Sequence, residues 1–173
     1  MKAQKFTLLI VDDDQNDRFL IERAFKSLGP YYRIHALENG NEAIRYIKGE
    51  DEYSDRSKYQ FPSYIITDLK MTQGDGFDLL NYIKTHPALS IIPVVMLSGS
   101  EDLDDIRQAY LLGVSSYFTK PSPTEDLAML IRNIHNYWSQ CQVPAVDGDG
   151  YALMTDSTGK AGERFSKPER FME

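Results

Sequence analysis

Y-I-I-T-D-L-K-M-T-Q-G-D-G, from Tyr64 to Gly76, decides how the rest of the chain is read. Apolar residues lead into Asp68 with no second charge among them, and the chain then turns polar and glycine-bearing. A short apolar run bounded by turn residues suits a strand buried on both faces, the kind found in parallel sheets covered by helices. Asp68 then stands where the chain leaves the core, at the sheet edge where open α/β folds bind ligands. On this stretch alone the acid serves equally well as a functional group or as the cap of a turn.

Working outward, the same strand-then-helix pattern repeats on both sides. Phe6 to Val11, F-T-L-L-I-V, reads as a buried first strand that ends in Asp12, Asp13 and Asp14. A helix follows from Asp17 to Ser27, with Phe19, Leu20, Ala24 and Phe25 at helical spacing, and Gly29-Pro30 stops it. Tyr32 to Leu37 is a second strand, and Asn39-Gly40-Asn41 opens a second helix. Gly49 to Pro62 is polar and without period, and reads as a long structureless surface loop. Beyond Gly76, F-D-L-L-N-Y-I-K is helical up to His86-Pro87, and Ile91 to Leu97 reads as a fourth strand before Ser98-Gly99-Ser100. The spacing predicts a helix over Asp102 to Leu112, with Gly113 as a left-handed cap, then a short strand from Ser116 to Thr119 ending in Lys120-Pro121. Pro123-Thr124-Glu125-Asp126 begins a last helix that fades near Cys141.

Five strand-helix repeats predict an α/β fold: a doubly wound, five-stranded parallel sheet with helices on both faces. Residues 5–141 make one such domain, and 142–173, rich in glycine and small polar residues, read as a C-terminal tail too short for an effector domain. Within the tail, D-G-D-G from Asp147 fails the EF-hand template, because Tyr151 occupies the third ligand position, and it reads as a solvated turn.

Composition narrows the function classes. The net charge of −7 and the lack of a basic cluster argue against direct DNA binding, which needs cations to displace the counterions of phosphates. Cys141 is the single cysteine, which excludes an intrachain disulfide and a cysteine zinc site. No apolar stretch approaches the ~18 residues of a membrane span. A cytoplasmic protein with no membrane association is therefore expected.

In a parallel sheet every strand delivers its carboxyl end to one edge, so residues distant in sequence meet there. Strand one supplies Asp12 and Asp13, strand three Asp68, strand four Ser98 and strand five Lys120. Converging carboxylates repel one another unless a hard cation relieves them, and Mg²⁺, which takes one or two carboxylates plus a phosphate oxygen, suits the set. A lysine and a hydroxyl opposite would cradle the other oxygens of a phosphoryl group, which is the positioning and neutralisation that phosphoryl transfer requires. A carboxylate can itself be the nucleophile.

The acid pair after strand one, the lone acid ending strand three, the hydroxyl after strand four and Lys-Pro after strand five together resemble the receiver domain of two-component response regulators. The resemblance implies the flavodoxin-like strand order 2-1-3-4-5, with Asp68 as phospho-acceptor. It implies a Mg²⁺ site made by Asp13 with Asp12, Asp68 and the backbone carbonyl of Lys70, and phosphoryl-oxygen contacts from Ser98 and Lys120. It also implies a switch in which the Ser98 hydroxyl moves toward the phosphoryl group and the Tyr117 ring follows. Thr72 and Gly99 depart from the family's usual proline and alanine. The long loop before strand three and the Asn136-Tyr137-Trp138 ending are similar to the small response regulators of phytochrome-type histidine kinases, so a sensor histidine kinase and a downstream protein are the implied partners.

Other groups read more plainly. Asp14 and Asp17 are taken as helix-start acids favoured by the dipole. His35, His86 and His135 are taken as surface residues, and Tyr137 and Trp138 as packing at the end of the last helix, with a homodimer anchor as the alternative role for the tryptophan. A phosphatase that also uses an aspartyl nucleophile would want an acid two residues beyond it, where this chain has Lys70.

Overall fold

The computed structural model describes residues 6–122, 124–142, 145–146, 152–155 and 161–164. Five parallel strands form one sheet: β1 (Phe6–Val11), β2 (Tyr32–Leu37), β3 (Tyr64–Thr67), β4 (Val94–Ser98) and β5 (Ser116–Thr119). Their order is β2-β1-β3-β4-β5, so the chain reverses its winding direction beside β1. The helices are α1 (Gln15–Ser27), α2 (Gly40–Lys48), α3 (Gly76–Thr85), α4 (Leu103–Leu111) and α5 (Thr124–Trp138). Pro123, read as the start of α5, lies outside the described residues.

Strand residues alternate between two cores, as the period of two requires. Leu9, Val11, Ile65, Val94 and Met96 pack with Tyr46, Leu79, Leu80, Ile83 and Ala109 of α2, α3 and α4. Leu8, Ile10, Tyr64, Ile66, Val95 and Leu97 pack with Ile21 and Phe25 of α1 and Leu127, Ile131 and Ile134 of α5. Both faces of the central strands are thus apolar, which is why their sequences run unbroken rather than alternating.

Helix starts are set by short polar side chains that take orphan N–H groups: Asp14 for α1, Asn39 for α2, Asp75 with Asp78 in a reciprocal box for α3, and Asp102 for α4. Gly113, at φ +92°, closes α4 in the left-handed conformation expected of it.

Two expectations need correction. First, β4 begins at Val94, not Ile91. Pro93 has no N–H for the ladder, although its carbonyl accepts from Ile65, and Leu89 and Ile92 are buried in a turn before the strand. Second, Gly49 to Pro62 is not structureless. It holds a 3₁₀ turn (Asp51–Ser54), and its Tyr53, Tyr59 and Phe61 pack on Tyr46 and the core. Arg56 donates to the carbonyls of Tyr46 (2.9 Å), Ile47 (2.5 Å) and Tyr59 (3.2 Å) and lies 4.3 Å from the Phe61 ring centroid, which ties this lid to the end of α2. The C-terminal stretch adds three short strands, β6 (Ala145–Val146), β7 (Ala152–Thr155) and β8 (Ala161–Arg164), in an antiparallel sheet of order β6-β7-β8. Short strands separated in sequence by glycine-bearing stretches suit such a meander. The turn read at Asp147–Gly150 lies outside the described residues. Among the described residues, no helix is long and apolar enough to cross a membrane.

Candidate phosphoryl and metal site

The site residues sit one step past the strands, each pinned by a backbone bond that continues the ladder. Asp12 donates its N–H to Leu37 O (3.1 Å), Asp68 to Val11 O (2.8 Å) and Lys120 to Ser98 O (2.7 Å). The register Val11↔Thr67 puts Asp12 beside Asp68, and Ser98↔Thr119 brings Lys120 to the same edge. Just beyond Asp68, α3 starts so close that a Cβ at Gly76 would strike the Asp68 carbonyl, so only glycine fits there.

Asp12, Asp13 and Asp68 each offer a carboxylate oxygen within 4.8 Å of the others. Asp12 is buried and Asp13 exposed, so the cluster opens on one side. The Lys120 ammonium faces it, donating to Asp12 Oδ2 at 2.7 Å, to Asp68 Oδ2 at 3.0 Å and to Asp17 Oδ2 at 2.8 Å. The second oxygen of Asp68 accepts from the Leu69 N–H at 2.6 Å, and that of Asp12 from the Asp14 N–H at 2.9 Å. Burial pushes the Asp12 carboxyl up to about 6, against the downward pull of the Lys120 hydrogen bond and charge. Burial alone would lower the Lys120 ammonium. Its bonds to Asp12 and Asp17, with the charges of Asp12 and Asp68, reverse that and hold it above the usual lysine range.

Three acids against one ammonium leave a surplus of negative charge, and an all-oxygen donor set of this kind fits a hard divalent cation. Asp13 is held toward the cluster by the Thr72 N–H, 3.2 Å from its Oδ2. This is the position at which Thr72 departs from the proline common in the resembled family. A proline there would have no N–H to give.

Ser98 is buried, and its hydroxyl accepts from the Ser100 N–H at 3.3 Å. Tyr117 is half-buried on β5, and its hydroxyl donates to the Ser100 carbonyl at 2.9 Å. Burial raises its phenol, with smaller opposing contributions from the Ser98 and Ser100 hydroxyls. The chain of contacts continues outward: the Ser100 hydroxyl donates to Asp105 Oδ2 at 2.6 Å, and the Lys70 ammonium lies 3.2 Å from the same oxygen. The hydroxyl bond, with Lys70 behind it, holds Asp105 below the ordinary carboxylate range.

Every side chain expected at the sheet edge is present there, and two further ones join it. Asp14 is the helix cap expected of it, accepting from Asn16 and Asp17 N–H groups at 2.7 and 3.1 Å. Asp17 is not confined to that role, because its carboxylate turns back onto Lys120. Four acids within six residues, Asp12, Asp13, Asp14 and Asp17, exceed what one cap and one ion require, and that excess was the available signal. Asp105 carries no such mark in the sequence.

The response regulator receiver domain profile matches residues 8–132. A "Probable methanogenesis regulatory protein FilR2" of Methanothrix harundinacea is 38% identical over 133 residues, 77% of this chain and 83% of that protein. Response regulator Rcp1 of Synechocystis sp. is 30% identical over 131 residues, 76% of this chain and 87% of that protein. The crystal structure of the Mn(2+)-bound form of Rcp1 superimposes with a TM-score of 0.75 at 30% identity, covering 81% of this chain and 99% of that one. The crystal structure of the phosphorylated cyanobacterial phytochrome response regulator RcpA gives a TM-score of 0.76 at 32% identity, covering 82% and 99%.

Proposed function

The chain belongs to the response regulator receiver domain family, and from that premise we propose that it accepts a phosphoryl group on Asp68 from a sensor histidine kinase and signals through altered protein contacts. The observation that carries this reading is the meeting of Asp12, Asp13, Asp68 and Lys120, from three different strand ends, around one small opening.

A carboxylate oxygen of Asp68 attacks phosphorus as the bond to the kinase histidine nitrogen breaks, and that nitrogen keeps the electron pair. Lys120 stays charged throughout, since its neighbours hold its proton tightly, and its ammonium meets the phosphoryl oxygens. The buried Ser98 hydroxyl can donate to another of those oxygens. Mg²⁺ would be held by Asp12, Asp13, Asp68 and the backbone carbonyl of Lys70, and when bound it neutralises charge on the phosphoryl oxygens.

The output rests on Ser98 and Tyr117. A Ser98 hydroxyl drawn to the phosphoryl group frees room, and the Tyr117 ring then gives up its bond to the Ser100 carbonyl and repacks the surface of α4 and β5. Similarity to Rcp1 and RcpA over most of their lengths supports a cytoplasmic regulator served by a phytochrome-type kinase, with residues 5–141 as the phosphorylated module and 142–173 as an appendage to it.

Labelling by acetyl phosphate tests the reading. Wild type with Mg²⁺ is expected to gain one phosphoryl group by mass. D68N, or wild type in excess chelator, is expected to gain none. Equal labelling of D68N would overturn the assignment of the acceptor.

A further inference from the structure

An ammonium has three N–H donors, and those of Lys120 go to three different carboxylates. Two of these acceptors are engaged elsewhere in the reaction proposed above: Asp12 joins the metal-binding acids, and Asp68 is esterified. Asp17 is not one of the three clustered acids, and its side chain is 33% exposed on the first turn of α1. Its backbone is fixed by the Asp14 cap, which accepts the Asp17 N–H. Of the three carboxylates on Lys120, Asp17 is therefore the one that neither metal binding nor phosphorylation engages.

We propose that Asp17 is a positioning residue that competes with the phosphoryl oxygens for the Lys120 ammonium and so limits how tightly the phosphorylated state is held. The proposal rests on the function assigned above. Asp17 takes one of the lysine's donors and adds a negative charge next to a group that arrives negative. Both effects act against the phosphoryl group and leave the metal ligands alone. Because the carboxylate is partly exposed, its influence is modest, roughly three- to tenfold in affinity.

The test is titration of the full chain with beryllium fluoride at saturating Mg²⁺, for wild type, D17N, D17S and D17E. D17N removes the charge at nearly constant size, and D17S is a second uncharged variant should the first fold poorly. Both are expected to bind beryllium fluoride roughly three- to tenfold more tightly than wild type, and D17E is expected to return toward wild type. The Lys120 side-chain ¹⁵N resonance should move in D17N, while Mg²⁺ affinity without beryllium fluoride stays within about twofold. A purely structural role would weaken both affinities together. Unchanged or weaker beryllium fluoride binding by D17N and D17S overturns this proposal alone. A wild type that takes up neither beryllium fluoride nor a phosphoryl group overturns the functional reading, and this proposal falls with it.

Discussion

Among the described residues, Lys120 is the one cation paired with two carboxylates that are almost wholly enclosed, Asp12 at 2% and Asp68 at 11% side-chain exposure. Removing one partner of a buried ion pair costs more than the pair contributes, because the remaining charge is stranded out of water. K120M is therefore expected to lower stability by about 3 kcal/mol in the absence of divalent ions, read from urea unfolding in chelator. The double variant K120M/D12N should recover more than half of that loss, since it removes the stranded carboxylate. Equal destabilisation of the single and double variants would mean that the cost lies in packing of the lysine stem. The same residue marks how far the sequence could be read at this scale. Asp12, Asp13, Asp68, Ser98 and Lys120 each end a strand, and one topological rule gathers them. Asp17 and Asp105 lie within first helical turns, where an acid is ordinarily explained by the helix dipole, and only a carboxylate's direction in space separates the two roles.

Elements with a clean period were legible, and those without one were not. The lid between α2 and β3 shows the limit: Tyr53, Tyr59 and Phe61 follow neither a strand nor a helix spacing, so the stretch reads as polar loop although Tyr53 is 6% exposed. Its order comes from long-range contacts. The Tyr53 hydroxyl donates to Glu42 at 2.8 Å, the Tyr46 hydroxyl to the Gln60 carbonyl at 2.7 Å, and the Arg56 fork gathers three carbonyls. Two of those, Tyr46 and Ile47, belong to the last turn of α2, where helical partners run short, although the capping Gly49 N–H also reaches the Tyr46 carbonyl at 3.1 Å. A lysine cannot reproduce a planar fork. R56K is expected to cost about 1–2 kcal/mol and to speed amide exchange from Tyr53 to Phe61, while amides of β1 and β3 keep their protection. Exchange rising equally in β1 would show that the lid is part of the global unfolding unit instead of a local one.

For the molecule as a whole, alternating strands and helices made a doubly wound parallel sheet legible and right-handed crossovers narrowed its arrangements, while the strand order itself came from the family resemblance. The small antiparallel sheet of the C-terminal stretch was not legible, because strands of two and four residues show no period of their own and the sequence around them lacks the helical spacing that frames the equally short β3 and β5. What the assembled fold adds is burial of groups that read as surface residues, and that sets its response to acid. Burial lowers His35, helped by the nearby charges of Arg33 and Lys58, and its Nε2 has no hydrogen-bond partner among the described residues between the rings of Tyr46 and Tyr59. Burial likewise lowers His135, whose Nδ1 lies 2.6 Å from the Tyr32 hydroxyl. Each histidine binds a proton more readily in the unfolded chain, at an ordinary value of about 6.5, than in the fold. Their contribution to stability is therefore full above about 6.5 and is lost as pH falls toward the lowered native values. Metal-free Asp12 acts in the opposite sense: raised from 3.8 to about 6, it contributes stability below its unfolded value that disappears as pH rises through about 6. The two trends overlap below about pH 6, so the wild-type slope alone does not separate them. Comparison with H35F does, because the phenyl ring fills the same aromatic nest and takes no proton. Between pH 7.5 and 5, the urea midpoint of wild type is expected to fall relative to that of H35F. Parallel midpoints across that range would mean that His35 is charged as readily in the fold as in the unfolded chain.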